Sequence, residues 1–190
     1  MAIPKIILAS KSPRRQELLR QMDVDFEVVL KEVDESYPDG LTPEEVAIHI
    51  AEKKAKAYDG TVTDEAVLTA DTIVTIDGLI LGKPDDAQHA VEMLKLLSGR
   101  VHRVVTGVCI FYKGRYNLFH DVSEVFFRTL TDNEITTYVE RYKPFDKAGS
   151  YGIQEWVGIT GIQRIEGSYT NVVGLPTEKV YQQLLKLAKQ

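Results

Sequence analysis

The chain has 190 residues, 44% of them apolar and 27% charged, with a formal net charge of −5. That length suits one domain with a sizeable core and room for two lobes. Basic and acidic residues are interspersed, which excludes a broad basic face for nucleic acid or anionic membrane, and no run approaches the ~20 apolar residues of a membrane span.

The elements follow in chain order. Lys5 to Ala9 (KIILA) reads as a short buried strand. Ser12 is a good N-cap and Pro13 fits the first helical position, so a helix is predicted to about Met22. Its first turn carries Arg14 and Arg15, at the end where the helix dipole disfavours cations by about 0.3–1 kcal/mol each. Two explanations stay open. Either a polyanion docks on the free N–H groups and the two guanidinium forks, or the arginines pair with nearby carboxylates, Asp34 and Glu35 being the candidates.

Phe26 to Leu30 reads as a second strand, followed by an acidic loop. Thr42 and Glu45 form a capping box around Pro43, opening a helix to about Tyr58. Val67 to Ile76 is a strand, Asp77-Gly78 a hairpin turn, and Leu79 to Leu81 the return. Asp85 or Asp86 caps a helix through Leu97 that Gly99 closes. Arg100 to Tyr112 and Tyr116 to Thr129 read as long strands joined at Lys113-Gly114, and the Thr131/Glu134 capping box opens a helix to about Tyr142. Residues 143–154 read as a loop, further short strands as running to about Val173, and Pro176 as leading a C-terminal helix. Strands alternate with helices but several pair as hairpins, so the expected class is α/β with a mixed sheet flanked by helices.

A few polar residues stand in apolar places. At 100° per residue, Lys54 falls within the apolar stripe made by Val46, Ala47, Ile50, Ala57 and Tyr58. A lysine there either snorkels to an edge or meets an anion. Asp71 interrupts an apolar and Thr-rich strand, where an unpaired carboxylate would cost several kcal/mol. It therefore needs a cation, hydrogen-bond donors or a metal. Arginines, a lysine and clustered carboxylates suit a metal-bound polyphosphate. The common phosphate-binding loops are absent, as are kinase, zinc-hydrolase and GxSxG signatures. The histidines His49, His89, His102 and His120 show no ligand spacing and read as scattered surface residues. The single cysteine, Cys109, excludes an internal disulfide and reads as an inert core thiol.

The segments SPRRQELL (12–19), VDES (33–36), EKKAKA (52–57), ADTIV (70–74), GKP (82–84), LSGRVHRVVTGV (97–108), DKAGSYGIQ (146–154) and GSYTNVVGLP (167–176) occur in an order that resembles the Maf family of nucleoside triphosphate pyrophosphatases. The resemblance covers essentially the whole chain, read as a single domain over residues 1–190. It implies a Maf/ITPase-like α/β fold with a central cleft, and a reaction in which water attacks the α-phosphorus to give a nucleoside monophosphate and pyrophosphate. It implies a divalent metal, Mg²⁺ or Mn²⁺, with Glu35 and Asp71 near it. Asp71 then matches the proton acceptor, and Arg14, Arg15, Lys54 and Lys83 match the basic residues that hold the phosphates. Arg14, Thr72 and Gln154 match the specificity residues of the subgroup acting on dTTP and UTP, which differs at the ADT and YGIQ positions from the one associated with 7-methyl-GTP. An amide such as Gln154 offers both a donor and an acceptor to the N3–H and O4 pair of uracil or thymine. Modified pyrimidine triphosphates are expected substrates too. A cytoplasmic homodimer is expected, with no nucleic-acid or membrane partner. The competing reading is a nucleotide-binding regulator of septum formation without significant turnover.

Overall fold

The computed structural model describes residues 3–189. The strands are β1 (Ile6–Leu8), β2 (Phe26–Val28), β3 (Ala66–Ile76), β4 (Leu79–Leu81), β5 (Val101–Tyr112), β6 (Arg115–Phe127) and β7 (Ile162–Glu166). The helices are α1 (Pro13–Gln21), α2 (Pro43–Lys56), α3 (Ala87–Leu97), α4 (Asp132–Tyr142), α5 (Trp156–Gly161), α6 (Tyr169–Val173) and α7 (Thr177–Leu187). The strands form one mixed sheet in the order β2-β1-β3-β5-β6-β7, with β4 paired to β3. β1 runs parallel to both β2 and β3, whereas β3–β4 and β6–β7 are antiparallel.

The local signals account for most boundaries. Ser12 caps α1 by accepting from the Arg15 N–H, and both predicted capping boxes, Thr42/Glu45 and Thr131/Glu134, are formed. Asp86 rather than Asp85 caps α3. Asp77 and Gly78 both take positive φ in the β3–β4 turn, as a type I′ hairpin requires. The region read as further short strands is instead α5, one strand (β7), and α6. In α5, Gly158 approaches the backbone of Ile153 so closely that a Cβ would lie 2.2 Å from its carbonyl oxygen. The chain thus turns tightly into α5 between residues 153 and 158, despite the strand preference of the β-branched Val157 and Ile159.

The chain divides into two compact units. The first holds residues 3–72, Thr106–Asp121 and residues 174–189; the second holds Ile73–Val105 and Val122–Val173. In the first, a buried cluster of Ile7, Ala51, Ala55, Tyr58, Val67, Cys109 and Phe111 joins α2 to the sheet. Gly107 allows this approach, since a Cβ there would stand 2.3 Å from the Ala47 carbonyl carbon. Burial pushes the Cys109 thiol up to about 12, in keeping with a core role. In the second unit, α3 packs against α4 with Ala90, Met93, Leu94, Leu97, Ile135, Tyr138 and Val139 buried. Among the described residues, no helix is long and apolar enough to cross a membrane.

Candidate active site

Asp71 and Lys54 meet for reasons that start in the secondary structure. Thr69 and Asp71 lie two residues apart on β3 and so share a face. Ala51 and Lys54 lie three apart on α2 and so share a stripe. The Thr69 hydroxyl, fully buried, donates to the Ala51 carbonyl at 2.6 Å and fixes helix against strand. One step further along both elements, Lys54 Nζ donates to Asp71 Oδ1 at 2.8 Å. The same ammonium lies 3.0 Å from Glu35 Oε1. The Lys54 and Asp71 side chains are each only 15% exposed, whereas Glu35 is half exposed at 51%. The lysine in the apolar stripe thus meets two anions rather than snorkelling to water.

Arg15 occupies a second network in the same unit. Its Nε donates to the Gly174 carbonyl at 2.7 Å, Nη1 to Ser10 Oγ at 3.3 Å, and Nη2 to Thr72 Oγ1 at 3.0 Å. Burial lowers the guanidinium pKa, and the Asp71 carboxylate opposes that shift. Asp34, one of the carboxylates considered for the arginines, pairs instead with Lys53 at 2.9 Å and bonds the Ser36 N–H. Thr72 Oγ1 also lies 2.9 Å from Thr106 Oγ1. Arg14 sits in the same first turn, half-buried.

Lys83 and Gln154 belong to the second unit, and both are exposed. Their segments are tied together, because the Gly149 N–H donates to the Gly82 carbonyl at 3.1 Å. Around Gln154 the backbone is held by buried polar groups. The Gly152 N–H donates to the Tyr138 hydroxyl at 3.1 Å, and that hydroxyl donates in a short bond to Glu155. Lys147, nearly buried, bridges Glu155 at 3.0 Å and Asp146 at 2.7 Å. Beside Gln154 lies a surface groove of about 510 Å³, lined by Ile153, Ile159, Ile165, Arg164 and Tyr169.

His102 departs from the surface role read for the histidines. It is buried, with Nε2 2.7 Å from the Tyr151 hydroxyl and its ring edge-on to Phe127 and Tyr151. Burial without a charged partner depresses its pKa to about 4.

No group of three or more His, Cys, Asp or Glu side chains poised to hold a metal occurs among the described residues. The donors at the site are the Glu35 and Asp71 carboxylates, both within bonding reach of one ammonium. Two hard oxygen donors suit a magnesium-type ion that keeps waters and substrate phosphate oxygens in its remaining positions. The donor set therefore fits.

The chain matches the family model described as Maf-like protein over residues 5–187. This protein belongs to the Maf family. It is similar to a dTTP/UTP pyrophosphatase of Flavobacterium psychrophilum, 52% identical over 95% of this chain and 93% of the relative. It is equally similar to one of Porphyromonas gingivalis, 52% identical over 95% of this chain and 92% of the relative. Among solved structures, a HAM1 protein from Coxiella burnetii matches 98% of this chain and 100% of its own with a TM-score of 0.50 at 18% identity, a likeness of fold. The Maf resemblance read from the ordered motifs is thus borne out, as is the mixed α/β fold.

The motifs pointed to Asp71, Lys54 and Thr72 but not to their supports. Ser10, Thr69, Thr106 and Gly174 in the first unit, and Tyr138, Lys147 and Glu155 in the second, act through contacts between residues distant in sequence. Thr106, Lys147 and Gly174 lie inside the quoted motif segments without a role attached to them, and Thr69 carried a signal as a polar residue on the same strand face as Asp71.

Proposed function

We propose that this Maf-family protein hydrolyses dTTP and UTP to the nucleoside monophosphate and pyrophosphate, in a reaction that needs a divalent metal. The observation that carries the reading is Lys54, one largely buried ammonium bonded to both Asp71 and Glu35, in a chain about half identical to relatives named dTTP/UTP pyrophosphatase. Asp71, held at one oxygen by Lys54, keeps its second oxygen for the attacking water and accepts its proton. Arg14, Lys54 and Lys83 are assigned to the phosphates, whose negative charge grows on the leaving pyrophosphate. Mg²⁺ or Mn²⁺ held by Glu35 and Asp71 would supply further charge neutralisation and a more acidic water. Thr72 and Gln154 are assigned to the base. Uracil and thymine differ by one methyl group, worth only ~1–3 kcal/mol in a pocket, so both fit one site. We assign the same site to modified pyrimidine triphosphates, and place the enzyme in the cytoplasm as a homodimer, on the family resemblance.

The test is a panel of nucleoside triphosphates with Mg²⁺, Mn²⁺ or a chelator, read by chromatography of the products. Monophosphate and pyrophosphate from dTTP and UTP, abolished by the chelator, is the expected result. Diphosphate with orthophosphate would place the attack on another phosphorus, and no turnover of any nucleotide would favour the regulator. Light scattering in line with gel filtration checks the dimer.

A further inference from the structure

We propose that Thr106 is a positioning residue for base selection, acting through Thr72 by fixing which way that hydroxyl points its hydrogen. The inference rests on the assignment of Thr72 to the base, and goes beyond it by explaining how an ordinary hydroxyl can discriminate.

A threonine hydroxyl has one hydrogen and two lone pairs, so alone it can meet either a donor or an acceptor. That ambivalence matters here. Uracil and thymine present a donor at N3 and an acceptor at position 4, whereas cytosine presents an acceptor at N3 and a donor at position 4. A freely rotating hydroxyl satisfies either edge and separates neither.

Thr72 is not free in that sense. The Arg15 guanidinium can only donate, and its Nη2 lies 3.0 Å from Thr72 Oγ1, which fills one lone pair. Thr106 Oγ1 lies 2.9 Å away and takes up one of the two remaining capacities. The Gly174 carbonyl competes weakly. Its second lone pair could take the Thr72 hydrogen, but the contact from Thr72 Oγ1 is 3.4 Å long, beyond the usual O–H···O range, so it holds that hydrogen only weakly. If Thr106 donates, both lone pairs of Thr72 are filled and it offers only its hydrogen. If Thr106 accepts, Thr72 offers only a lone pair. Either way one polarity remains for an incoming base. The constraint is stiff, because Thr106 is fully buried and branching at Cβ limits χ1 of both threonines.

Removing the Thr106 hydroxyl while keeping its shape should therefore relax selection instead of simply weakening the enzyme. In Thr106→Val, kcat/KM for CTP relative to dTTP is expected to rise about tenfold, roughly 1.4 kcal/mol of discrimination. The gain should appear in KM for CTP, with kcat for dTTP within about threefold of wild type. Thr106→Ser restores a hydroxyl and should return the ratio to near its original value. Thr72→Val should abolish the effect of the second substitution, so that Thr72→Val and Thr72→Val/Thr106→Val share one ratio. A merely structural role would lower both substrates in parallel with the melting temperature and leave the ratio untouched, and that result overturns the proposal. So does a relaxed ratio that Thr106→Ser fails to restore. Wild-type enzyme that hydrolyses CTP as readily as dTTP would remove the base-selective reading itself and the inference with it. That outcome is distinguishable because it is seen before any variant is made.

Discussion

Replacing Lys54 with Met tests the site at its centre. Met keeps most of the apolar stem that lies along the α2 stripe but removes the ammonium shared by Asp71 and Glu35. Two carboxylates bonded to one ammonium stand roughly 5 Å apart, where two unit charges in an effective dielectric of about 20 repel by about 3 kcal/mol. Glu35 is half exposed, and screening brings its share down to about 1 kcal/mol or less. The Lys54–Asp71 contact is better enclosed, and losing one partner of a fully buried pair costs about 3–5 kcal/mol, so about 2 kcal/mol is reasonable at this partial burial. The variant should therefore lose about 2–3 kcal/mol in urea unfolding followed by circular dichroism, or about 4–12 °C in melting temperature for a chain of this size. Adding Asp71→Asn should recover about 1–2 kcal/mol, because the repulsion then disappears. Activity should fall by about 10²–10³ in kcat, the usual effect of deleting one preorganised charge-stabilising group. Unchanged unfolding in Lys54→Met, together with no recovery in the double variant, would show that the ammonium does not bridge these carboxylates in solution.

Other substitutions separate the supports from the chemistry. Thr69→Val removes the Thr69–Ala51 bond between β3 and α2, and should cost about 1 kcal/mol in unfolding free energy while lowering kcat more than it raises KM. Tyr138→Phe strips the Gly152 N–H and Glu155 of a shared partner; unfolding free energy should fall by about 1–3 kcal/mol, and the dTTP/CTP preference should fall through disorder beside Gln154. His102 makes stability depend on pH. Its folded pKa of about 4 lies below the ordinary 6.5, so the unfolded chain binds the extra proton between those values. Stability is full above pH 6.5 and declines as pH falls toward 4, by at most about 3 kcal/mol. His102→Gln should flatten that part of the stability curve measured by denaturant titration.

Helix starts and turns were legible because each is a local signal. Ser12, Thr42, Asp86 and Thr131 all cap the helices read from them. Lys54 and Asp71 were legible for the opposite reason, being charges where the pattern required apolar residues. The readings that failed concern tertiary placement. His102 looks like any strand histidine, and only its Tyr151 and Phe127 neighbours reveal a buried neutral ring. The reading of further short strands to about Val173 holds only for β7; α5 and α6 flank it, and the buried Asn171 anchors α6 through a bond to the Val104 carbonyl at 3.1 Å. Arg15 shows a third limit. The helix-dipole argument asked for an anion, but three neutral oxygens from residues 10, 72 and 174 take its donors, and no local pattern encodes those pairings.

The central claim is that water directed by Asp71 attacks the α-phosphorus. Turnover of dTTP in ¹⁸O-enriched water, with the products resolved by mass spectrometry, tests it most directly. One ¹⁸O in the thymidine monophosphate and none in the pyrophosphate is the predicted outcome, lost in Asp71→Asn. Label in pyrophosphate or orthophosphate, or undiminished labelling in Asp71→Asn, would contradict the account.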